Sequence, residues 1–259
     1  MATENNIPGN LNQSVWSCCE VIKYLAGKDW CRLKDIAQGV EMDAAKVHRL
    51  LNTLAVHDFV QYDEDTHRYR LGFQFFTIAY HMSRSSIISA ARPHLEYAAG
   101  ELFETINLGM LANDKAKLVH IYRLDGNLAA NYADIPLGVS RFANESALGK
   151  SILAYLPYGE QQSVLNRIEF HQYTEKTIIT KEELQRDLIL TRERGYAIDD
   201  GEIEPGVYCM AMPIFDGTGK VVAAVSISMK GQPEQKAMNR MLNVLRTTTE
   251  RIAKSLGYT

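Results

Sequence analysis

The sequence has few cysteines and no long apolar run, and these two scarcities exclude several classes of protein. Its four cysteines, Cys18, Cys19, Cys31 and Cys209, form no C-x-x-C pair and are not regularly spaced relative to histidine. That pattern argues against a disulfide framework and against a structural zinc site. No stretch of about 18 apolar residues is present to span a bilayer. We expect a protein without membrane contact, bound metal or cofactor.

Export signals and an excess of positive charge are also missing. Residues 1–10 are polar and contain no basic start followed by an apolar segment, so no signal peptide is expected and the predicted location is the cytoplasm. The formal net charge is −3, and residues 1–80 contain eight Lys and Arg against ten Asp and Glu. Any binding of a polyanion must therefore depend on locally placed cations rather than on a basic domain.

What is present is the composition of an ordinary globular protein. Apolar residues make up 46% of the chain and charged residues 23%, which are typical globular values. A length of 259 residues exceeds one average domain and is short for three. The sequence therefore predicts two globular units.

Three short helices are predicted near the N-terminus. The first runs from Ser14, as N-cap, to Gly27, and a second contains residues 33–40. Asp43 caps a third helix that ends near His57. An apolar stripe on this third helix consists of Val47, Leu50, Leu51 and Leu54, and the opposite face carries Ala45, Lys46, His48, Arg49 and Asn52. Three helices in so short a segment indicate a helix-turn-helix core.

A β-hairpin and a connecting helix follow. Residues 59–62 and 68–71 have strand-like composition and flank the turn-rich segment 63–67. This pattern predicts a wing beside the helix-turn-helix. Residues 73–87 have enough apolar residues at helical spacing to predict a helix rather than a flexible linker.

The remainder of the chain alternates between helix and strand patterns. Helices are predicted at 93–105, 147–156, 159–168, 181–194 and 233–256, and strands at 108–113, 117–124, 207–215 and 220–229. We predict an α+β domain with a mainly antiparallel sheet. No internal repeat is found.

The last two strands predict a polar cavity. A hairpin around Asp216–Gly219 pairs Phe215 with Lys220 and therefore places Cys209 opposite Ser226. Strand alternation then puts Cys209, Ser226 and Ser228 on one face and Val225, Ile227 and Met229 on the other. Because an unpaired buried hydroxyl costs about 1–3 kcal/mol, the polar face is expected to meet a ligand rather than a packed core.

Several motifs together resemble one family of bacterial transcription regulators, the IclR family. The motifs are His48-Arg49-Leu50-Leu51, Tyr69-x-Leu71-Gly72, Ala91-Arg92-Pro93-x-Leu95, Ala147-Leu148-Gly149-Lys150, Arg194-Gly195-Tyr196-Ala197-x-Asp199-Asp200-x-Glu202 and Gly206-Val207-x-Cys209-x-Ala211-x-Pro213-x-Phe215-Asp216. They cover about residues 13–257 and stand in the order that the family has them. The combination is specific, whereas a helix-turn-helix alone would be weak evidence.

This resemblance implies a winged helix-turn-helix at residues 11–72, a linker helix at 73–88 and a GAF-like antiparallel-sheet effector domain at 89–259. The implied partners are a double-stranded DNA operator, a small-molecule effector such as an organic acid or sugar acid, and further copies of the chain in a homodimer or tetramer. The residues implied to contact DNA are Gln13, Ser14, Ala45, Lys46, His48, Arg49, Asn52 and Arg68. The residues implied to bind the effector are Ala147, Leu148, Asp199, Cys209, Ser226 and Ser228.

Three departures from the family pattern affect the expected contacts, and one of them is Ser17 in place of an arginine that often follows the N-terminal Gln-Ser. Ala44-Ala45-Lys46 replaces the usual Lys-Ser-Thr at the start of the third helix, so two hydroxyl contacts to DNA are missing. Residues 142–146 also differ from the usual Pro-Leu-His-Ala-Thr. Asn144 and Glu145 would select a polyhydroxylated ligand if this segment lines the pocket, and would otherwise be surface residues.

Other classes of function remain open at this stage. An enzyme would use Cys209 as a nucleophile with a histidine base oriented by Asp199, although no histidine lies near in sequence. An adaptor would bind a ligand without binding DNA, and Lys46, His48 and Arg49 would then be a solvated helix face. Steeply salt-dependent DNA binding separates a regulator from both.

Overall fold

The structure, a computed structural model, describes the backbone of residues 11–85, 87–126 and 136–258, with side chains through residue 82 in the first range. Residues 1–10, on which the prediction about export signals rests, lie outside this part of the chain. Two compact units are present, Met1–Arg84 and Ser85–Thr259. None of the helices within the described ranges is long and apolar enough to cross a membrane.

The first unit contains three helices, a small sheet and one further helix. In chain order these are α1 (Gln13–Ala26), β1 (Cys31–Arg32), α2 (Leu33–Gly39), α3 (Ala44–Val56), β2 (Val60–Asp63), β3 (Arg68–Leu71) and α4 (Gln74–Ser85). The strands pair antiparallel in the order β1-β3-β2. The helix-turn-helix and its wing are confirmed, and β1 is a short strand that the sequence pattern did not predict.

Capping residues fix where α1 and α3 begin. Asp43 Oδ1 accepts hydrogen bonds from the N–H groups of Ala45 and Lys46 at 2.9 and 3.1 Å, as predicted for α3. The N-cap of α1 is Asn12 and not Ser14, because Asn12 Oδ1 accepts the N–H of Ser14 at 3.0 Å. An asparagine two residues upstream can satisfy the free N–H groups of the first turn, so the helix starts earlier.

The core of the first unit lies between its helices and the small sheet. Val47 and Leu51 are completely buried and Leu54 is nearly so, whereas Leu50 is only half-buried. This part of the predicted stripe packs with Val21 of α1 and Tyr69 of β3. The opposite face of α3 is left facing solvent.

The second unit is a six-stranded antiparallel sheet with helices on both faces. Its elements are α5 (Ile87–Leu102), β4 (Thr105–Leu111), β5 (Lys117–Leu124), β6 (Ser140–Phe142), a 3₁₀ turn (Ala143–Glu145), α6 (Ala147–Leu153), α7 (Tyr158–Leu165), α8 (Lys181–Arg194), β7 (Ala197–Asp200), β8 (Val207–Phe215), β9 (Val221–Lys230) and α9 (Gln235–Ser255). The strand order is β6-β5-β4-β9-β8-β7. The predicted α+β class is confirmed.

The helix predicted at 93–105 begins and ends earlier than expected. It starts at Ile87, contains Pro93 in its interior and ends at Leu102, while Thr105 belongs to β4. Ala91 and Leu95, on either side of the proline, are completely buried. Burial on both sides outweighs the cost of an interior proline, which is about 3 kcal/mol.

The register of the β8–β9 hairpin differs from the prediction by two residues. Cys209 pairs with Ser228 instead of Ser226, and Ala211 pairs with Ser226. The cause is an irregularity between Ile214 and Phe215, where the pairing shifts by one residue beside a longer turn. A shift of two residues preserves the faces of a strand, so the predicted face assignment is confirmed although its register was wrong.

The two faces of the sheet pack against different helices. Val225 and Ile227 point toward α5 and α9, in a cluster that includes Leu95 and Leu245. The opposite face packs against α6, whose Leu148 and Ile152 meet Leu118, Ala211 and Ala224. The serines of β9 lie on this second face, between the sheet and the start of α6.

Candidate functional site

The exposed face of α3 carries the residues predicted to meet DNA. Ala45, His48, Arg49 and Asn52 are exposed and Lys46 is half-buried. Of the other three predicted residues, Gln13 and Ser14 are exposed at the start of α1 and Arg68 is half-buried on β3. All eight are therefore at least partly exposed.

The wing beside α3 is held by its own side chains. Tyr62 and Tyr69 have ring centroids 4.7 Å apart, and the Tyr62 hydroxyl lies 2.7 Å from Nδ1 of His67. Asp63 accepts hydrogen bonds from the hydroxyl and the N–H of Thr66, and the hydroxyl bond chiefly lowers the pKa of this carboxyl. These contacts fix the turn between β2 and β3 before any partner binds.

A cavity lies in the second unit, between the sheet and the start of α6. It is partly open to solvent, and the centres of water-sized molecules can occupy about 80 Å³ of it. The lining residues come from every strand of the sheet and from the loops that precede α6 and β8. They are Thr105, Asn107, Leu118, His120, Arg123, Arg141, Glu145, Ser146, Ala147, Leu148, Asp199, Ile203, Glu204, Val207, Cys209, Ser226 and Ser228.

The structure brings all six predicted effector residues to this cavity. Ala147 and Leu148 open α6, Asp199 lies on β7, Cys209 on β8, and the two serines on β9, and each of them lines the cavity. The six come from segments up to about eighty residues apart and meet because neighbouring strands present the same face.

A hydrogen-bonded row crosses the floor of the cavity through Asn107, a residue that sequence analysis missed. Asn107 Nδ2 donates to the hydroxyls of Ser226 and Ser228 at 3.4 and 3.3 Å, and the Cys209 thiol donates to Ser228 at 3.2 Å. Thr105, on the same strand as Asn107, is almost fully buried, and its hydroxyl has no partner in the described part of the chain. An unpaired buried hydroxyl in a cavity wall is suited to bond a ligand.

Basic side chains occupy the β5–β6 side of the cavity. His120 and Arg123 of β5 and Arg141 of β6 all line it. His120 is 7% exposed, and burial, assisted by the positive charges of Arg123 and Arg141, lowers its pKa to about 4. The imidazole is therefore neutral near pH 7.

Acidic side chains occupy the opposite, β7 side. Burial raises the pKa of Asp199, and its Oδ1 accepts the N–H of Glu202 at 2.8 Å. Behind this wall the fully buried Lys150 places its Nζ 2.6 Å from Glu202 and 3.1 Å from Asp187. Burial raises the pKa of Glu202 to about 7 even though Lys150 acts in the opposite direction. The cavity thus has a cationic side and a side where carboxyls hold protons readily.

The segment before α6 contributes to the cavity, which resolves the alternatives left open for Asn144 and Glu145. Both residues are buried, so neither is a surface residue. Glu145 lines the cavity, and its Oε1 accepts the Tyr173 hydroxyl at 2.8 Å. Asn144 is not among the lining residues, and its Oδ1 lacks a partner among the described residues.

Cys209 does not have the environment of a nucleophile. Burial, with the nearby Asp199 carboxylate, raises the pKa of its thiol to about 12. The thiolate is the reactive form of cysteine, and reactive thiols have lowered pKa values. Burial of the thiol therefore argues against Cys209 as the nucleophile of the enzymatic alternative.

The chain matches two family models. Residues 19–64 match the IclR helix-turn-helix domain, and residues 79–254 match the C-terminal domain described as bacterial transcriptional regulator IclR. The two matches follow each other in the same order as the two compact units. Together they cover most of the sequence.

Individual proteins of known name or structure are similar over nearly the full length. The DNA-binding transcriptional repressor YiaJ of Escherichia coli is 32% identical over 267 aligned residues, which cover 100% of this chain and 93% of the repressor. The crystal structure of Thermotoga maritima IclR is 28% identical with a TM-score of 0.79, over 95% of this chain and 99% of that one. An IclR homologue of Microbacterium hydrocarbonoxydans, in complex with 4-hydroxybenzoate, has a TM-score of 0.82 at 20% identity, covering 94% of this chain and 98% of that one.

Proposed function

The chain belongs to the IclR family of bacterial transcriptional regulators, and on that premise we propose that it is a cytoplasmic DNA-binding regulator controlled by a small hydroxylated carboxylic acid. The observation that carries this proposal is the cavity of the second unit, with a charged group on each side and a polar floor. A regulator needs a site for a signal as well as a site for DNA, and this cavity supplies the first.

The proposed DNA contacts follow from the exposed face of α3. A recognition helix enters the major groove and reads base edges with its outward side chains. Arg49 is suited to a bidentate contact with guanine, and Asn52 to a contact with adenine. Lys46, His48 and Ala45 lie beside them, while Arg68 of the wing and Gln13 and Ser14 of α1 reach the backbone of the duplex. Because the chain has a net charge of −3, these few groups carry the affinity.

The proposed assembly is a homodimer or tetramer. A symmetric dimer presents two α3 helices to two half-sites separated by one or more helical turns of DNA. The operator is therefore expected to be palindromic. Sedimentation at micromolar concentration tests this directly, since a monomer with and without DNA contradicts it.

The proposed ligand follows from the groups that line the cavity. Side chains that accept and donate hydrogen bonds, such as Asn107, Asp199, Ser226 and Ser228, are suited to hydroxyl groups. Ala147 and Leu148 supply apolar contact, and Cys209 completes the floor. A small acid with hydroxyl groups, such as a sugar acid, suits this combination of polar and apolar contacts.

The test combines DNA binding with ligand binding. The DNA flanking the gene is used in a gel shift at several salt concentrations, and the purified protein is screened in thermal shift against organic acids and sugar acids. We expect DNA affinity to fall steeply with salt and the right acid to raise the melting temperature. Since linkage is reciprocal, an effector that changes DNA affinity is itself bound differently when DNA is present.

The same test distinguishes the proposed regulator from an adaptor that binds a ligand but not DNA. An adaptor that has lost DNA binding gives a thermal shift with an acid but no gel shift at any salt concentration. That pair of results contradicts the proposed function and leaves the ligand site in place.

A further inference from the structure

The side chains that line the cavity differ in charge from one edge of the sheet to the other. Its cationic side belongs to β5 and β6, which form one edge of the sheet, and Asp199 belongs to β7 at the other edge. The neutral polar groups of Asn107 and Ser226 lie between the two, on the central strands, and Glu145 also lines the cavity from the segment before α6. A ligand that spans the cavity therefore meets positive charge at one end and a buried carboxyl at the other.

A β-bulge creates the cationic side. Gly109 pairs with His120 and Leu108 pairs with Tyr122, so Ile121 is an extra residue in β5. Strict alternation would put His120 and Arg123 on opposite faces, because they are three residues apart. The extra residue resets the alternation beyond it, so both side chains line the cavity.

Arg141 reaches the same place from the neighbouring strand. It pairs with Leu118, which also lines the cavity and lies two residues before His120 on β5. Directly paired residues share a face of the sheet. The His120 imidazole and the two guanidinium groups therefore converge from two adjacent strands.

Two of these three groups have unused hydrogen-bonding capacity. Arg123 is held at Nε by Asp125, at 2.6 Å. For Arg141 and for the ring of His120, no hydrogen bond or ion pair with another residue is formed within the described ranges, although His120 is buried. A buried polar group without a partner is costly, and here the missing partner faces a cavity.

We propose that His120, Arg123 and Arg141 form an anion subsite that binds the carboxylate of the ligand, while Asn107 and Asp199 bind its hydroxyl groups. This proposal rests on the proposed function and specifies the orientation of the ligand. In this arrangement the carboxylate lies beside the basic side chains of β5 and β6, and not at Ser226 and Ser228 on β9. Charge-assisted bonds from a guanidinium to a carboxylate are about twice as strong as bonds between neutral groups.

The protonation of His120 supports the same assignment. The ring is neutral because it is buried beside two guanidinium groups, Arg123 and Arg141. The acidic groups that line the cavity with it are Glu145, Asp199 and Glu204. A carboxylate bound between the cations offsets their repulsion and favours the imidazolium. Binding at mildly acidic pH is therefore expected to be accompanied by proton uptake at this histidine.

The first test compares acids with neutral analogues. The probes are gluconate paired with glucitol, 4-hydroxybenzoate paired with 4-hydroxybenzyl alcohol, and glucose 6-phosphate, each titrated into the full chain by calorimetry. We expect at least one carboxylate to bind at least tenfold more tightly than its neutral analogue. Equal affinity within both pairs, no binding by either acid, or tighter binding of the phosphate than of both carboxylates overturns the proposal.

The second test uses variants. Arg141→Gln lies at the exposed rim of the cavity, so its folding is not at risk, and it is expected to weaken the bound acid at least tenfold while leaving the neutral analogue unchanged. The control is Arg186→Gln, the same substitution at an exposed position of α8 away from the cavity. Equal effects of the two substitutions, or no effect of either, contradict an anion subsite.

A third readout reports on His120 itself. The imidazole signals of ¹⁵N-histidine-labelled protein are followed during titration with the acid at pH 5.5, and we expect the signal of His120, assigned with His120→Gln, to move toward the imidazolium position. Signals that do not move while the acid binds overturn the proposal.

Gel shifts with the same variants distinguish failure of the anion subsite from failure of the proposed function. Retained DNA binding with these negative results refutes the subsite only, whereas lost DNA binding in the unmodified chain refutes the proposed function.

Discussion

The ammonium of Lys150 lies 2.6 Å from Oε1 of Glu202, although the lysine side chain is completely buried. Asp187 of α8 lies 3.1 Å from the same ammonium. These two ion pairs of Lys150 connect α6 with α8 and with the loop that follows β7. Ala147 and Leu148 stand on the same helix as this lysine, so the cavity wall depends on a buried charge that is itself outside the cavity.

Replacing Lys150 with Met is expected to destabilise the protein by about 3–5 kcal/mol, because it leaves buried carboxylates without their cation. Urea unfolding at pH 7.5 measures the change. The control is Lys176→Met, which removes an exposed pair with Asp200 and should cost less than about 1 kcal/mol. Equal losses for the two variants would show that the buried charge has no special role.

Gly149→Ala is expected to displace the start of α6 and to abolish ligand binding. A Cβ at this position would lie 2.0 Å from the carbonyl oxygen of Ala143, so the helix has to move. The matched substitution is Gly100→Ala in α5, where a Cβ meets nothing within 4 Å and helix propensity predicts a gain of up to about 1 kcal/mol. Thermal unfolding of both variants, with ligand titration, is the measurement, and similar behaviour of the two would refute the close-packing argument.

Ser228→Ala is expected to weaken ligand binding and to cost some stability. Its hydroxyl accepts from Asn107 and from the Cys209 thiol, and a typical hydrogen bond contributes about 0.5–1.5 kcal/mol. Val225→Ala, on the opposite face of the same strand, should cost about 1–4 kcal/mol of stability without changing the affinity of the folded protein for ligand. Calorimetric titration and urea unfolding separate the two effects. The face assignment is wrong if the valine variant loses affinity and the serine variant does not.

Arg49→Ala is expected to weaken binding to the specific operator by about 1–3 kcal/mol if the guanidinium reads a base. The same loss on random DNA would instead make Arg49 a phosphate contact. Lys23→Ala serves as the control, since Lys23 is exposed on α1 and paired with Glu20. Gel shifts of both variants at matched salt give the comparison, and an unchanged Arg49 variant would remove α3 from the interface.

His120 is expected to make the protein less stable in mild acid. Its pKa is lowered from 6.5 to about 4, so its contribution to stability is fully present above about pH 6.5 and is lost as the pH falls toward 4. Burial raises the pKa of Glu202 to about 7, and this carboxyl contributes in the opposite direction over the same range. The test is therefore the difference between wild type and His120→Gln in urea unfolding at pH 7.5 and 5, with His57→Gln as an exposed control. A difference that does not change with pH would contradict the assignment.

The sequence predicts the polar floor of the cavity well because strand alternation tolerates an error of two residues. Cys209, Ser226 and Ser228 were assigned to one face with the wrong partners, and the structure keeps them on that face. A slip of one residue would have inverted every side chain. Hydrophobic periodicity also sufficed for α3, whose cap at Asp43 is local in sequence.

The cationic side of the cavity was not predicted, for three local reasons. The bulge at Ile121 brings His120 and Arg123 to one face against the simple alternation. Arg141 lies in a three-residue strand, too short to give a periodic signal. Asn107 was missed because the sequence pattern predicts a helix up to residue 105 and the next strand only from residue 108. In the structure β4 already begins at Thr105.

The pairing of β4 with β9 joins two parts of the chain that are synthesised far apart. Asn107 and Ser226 are separated by 119 positions, and β9 is the last strand of the sheet to leave the ribosome. A nascent chain that stops before Val221 has the residues of both charged sides but lacks the strand that connects them. Contacts between residues so far apart in sequence form slowly. A ligand finds no complete site until β9 has been synthesised and has paired with β4. A ligand of this cavity would therefore meet all of its lining strands only in chains synthesised beyond β9.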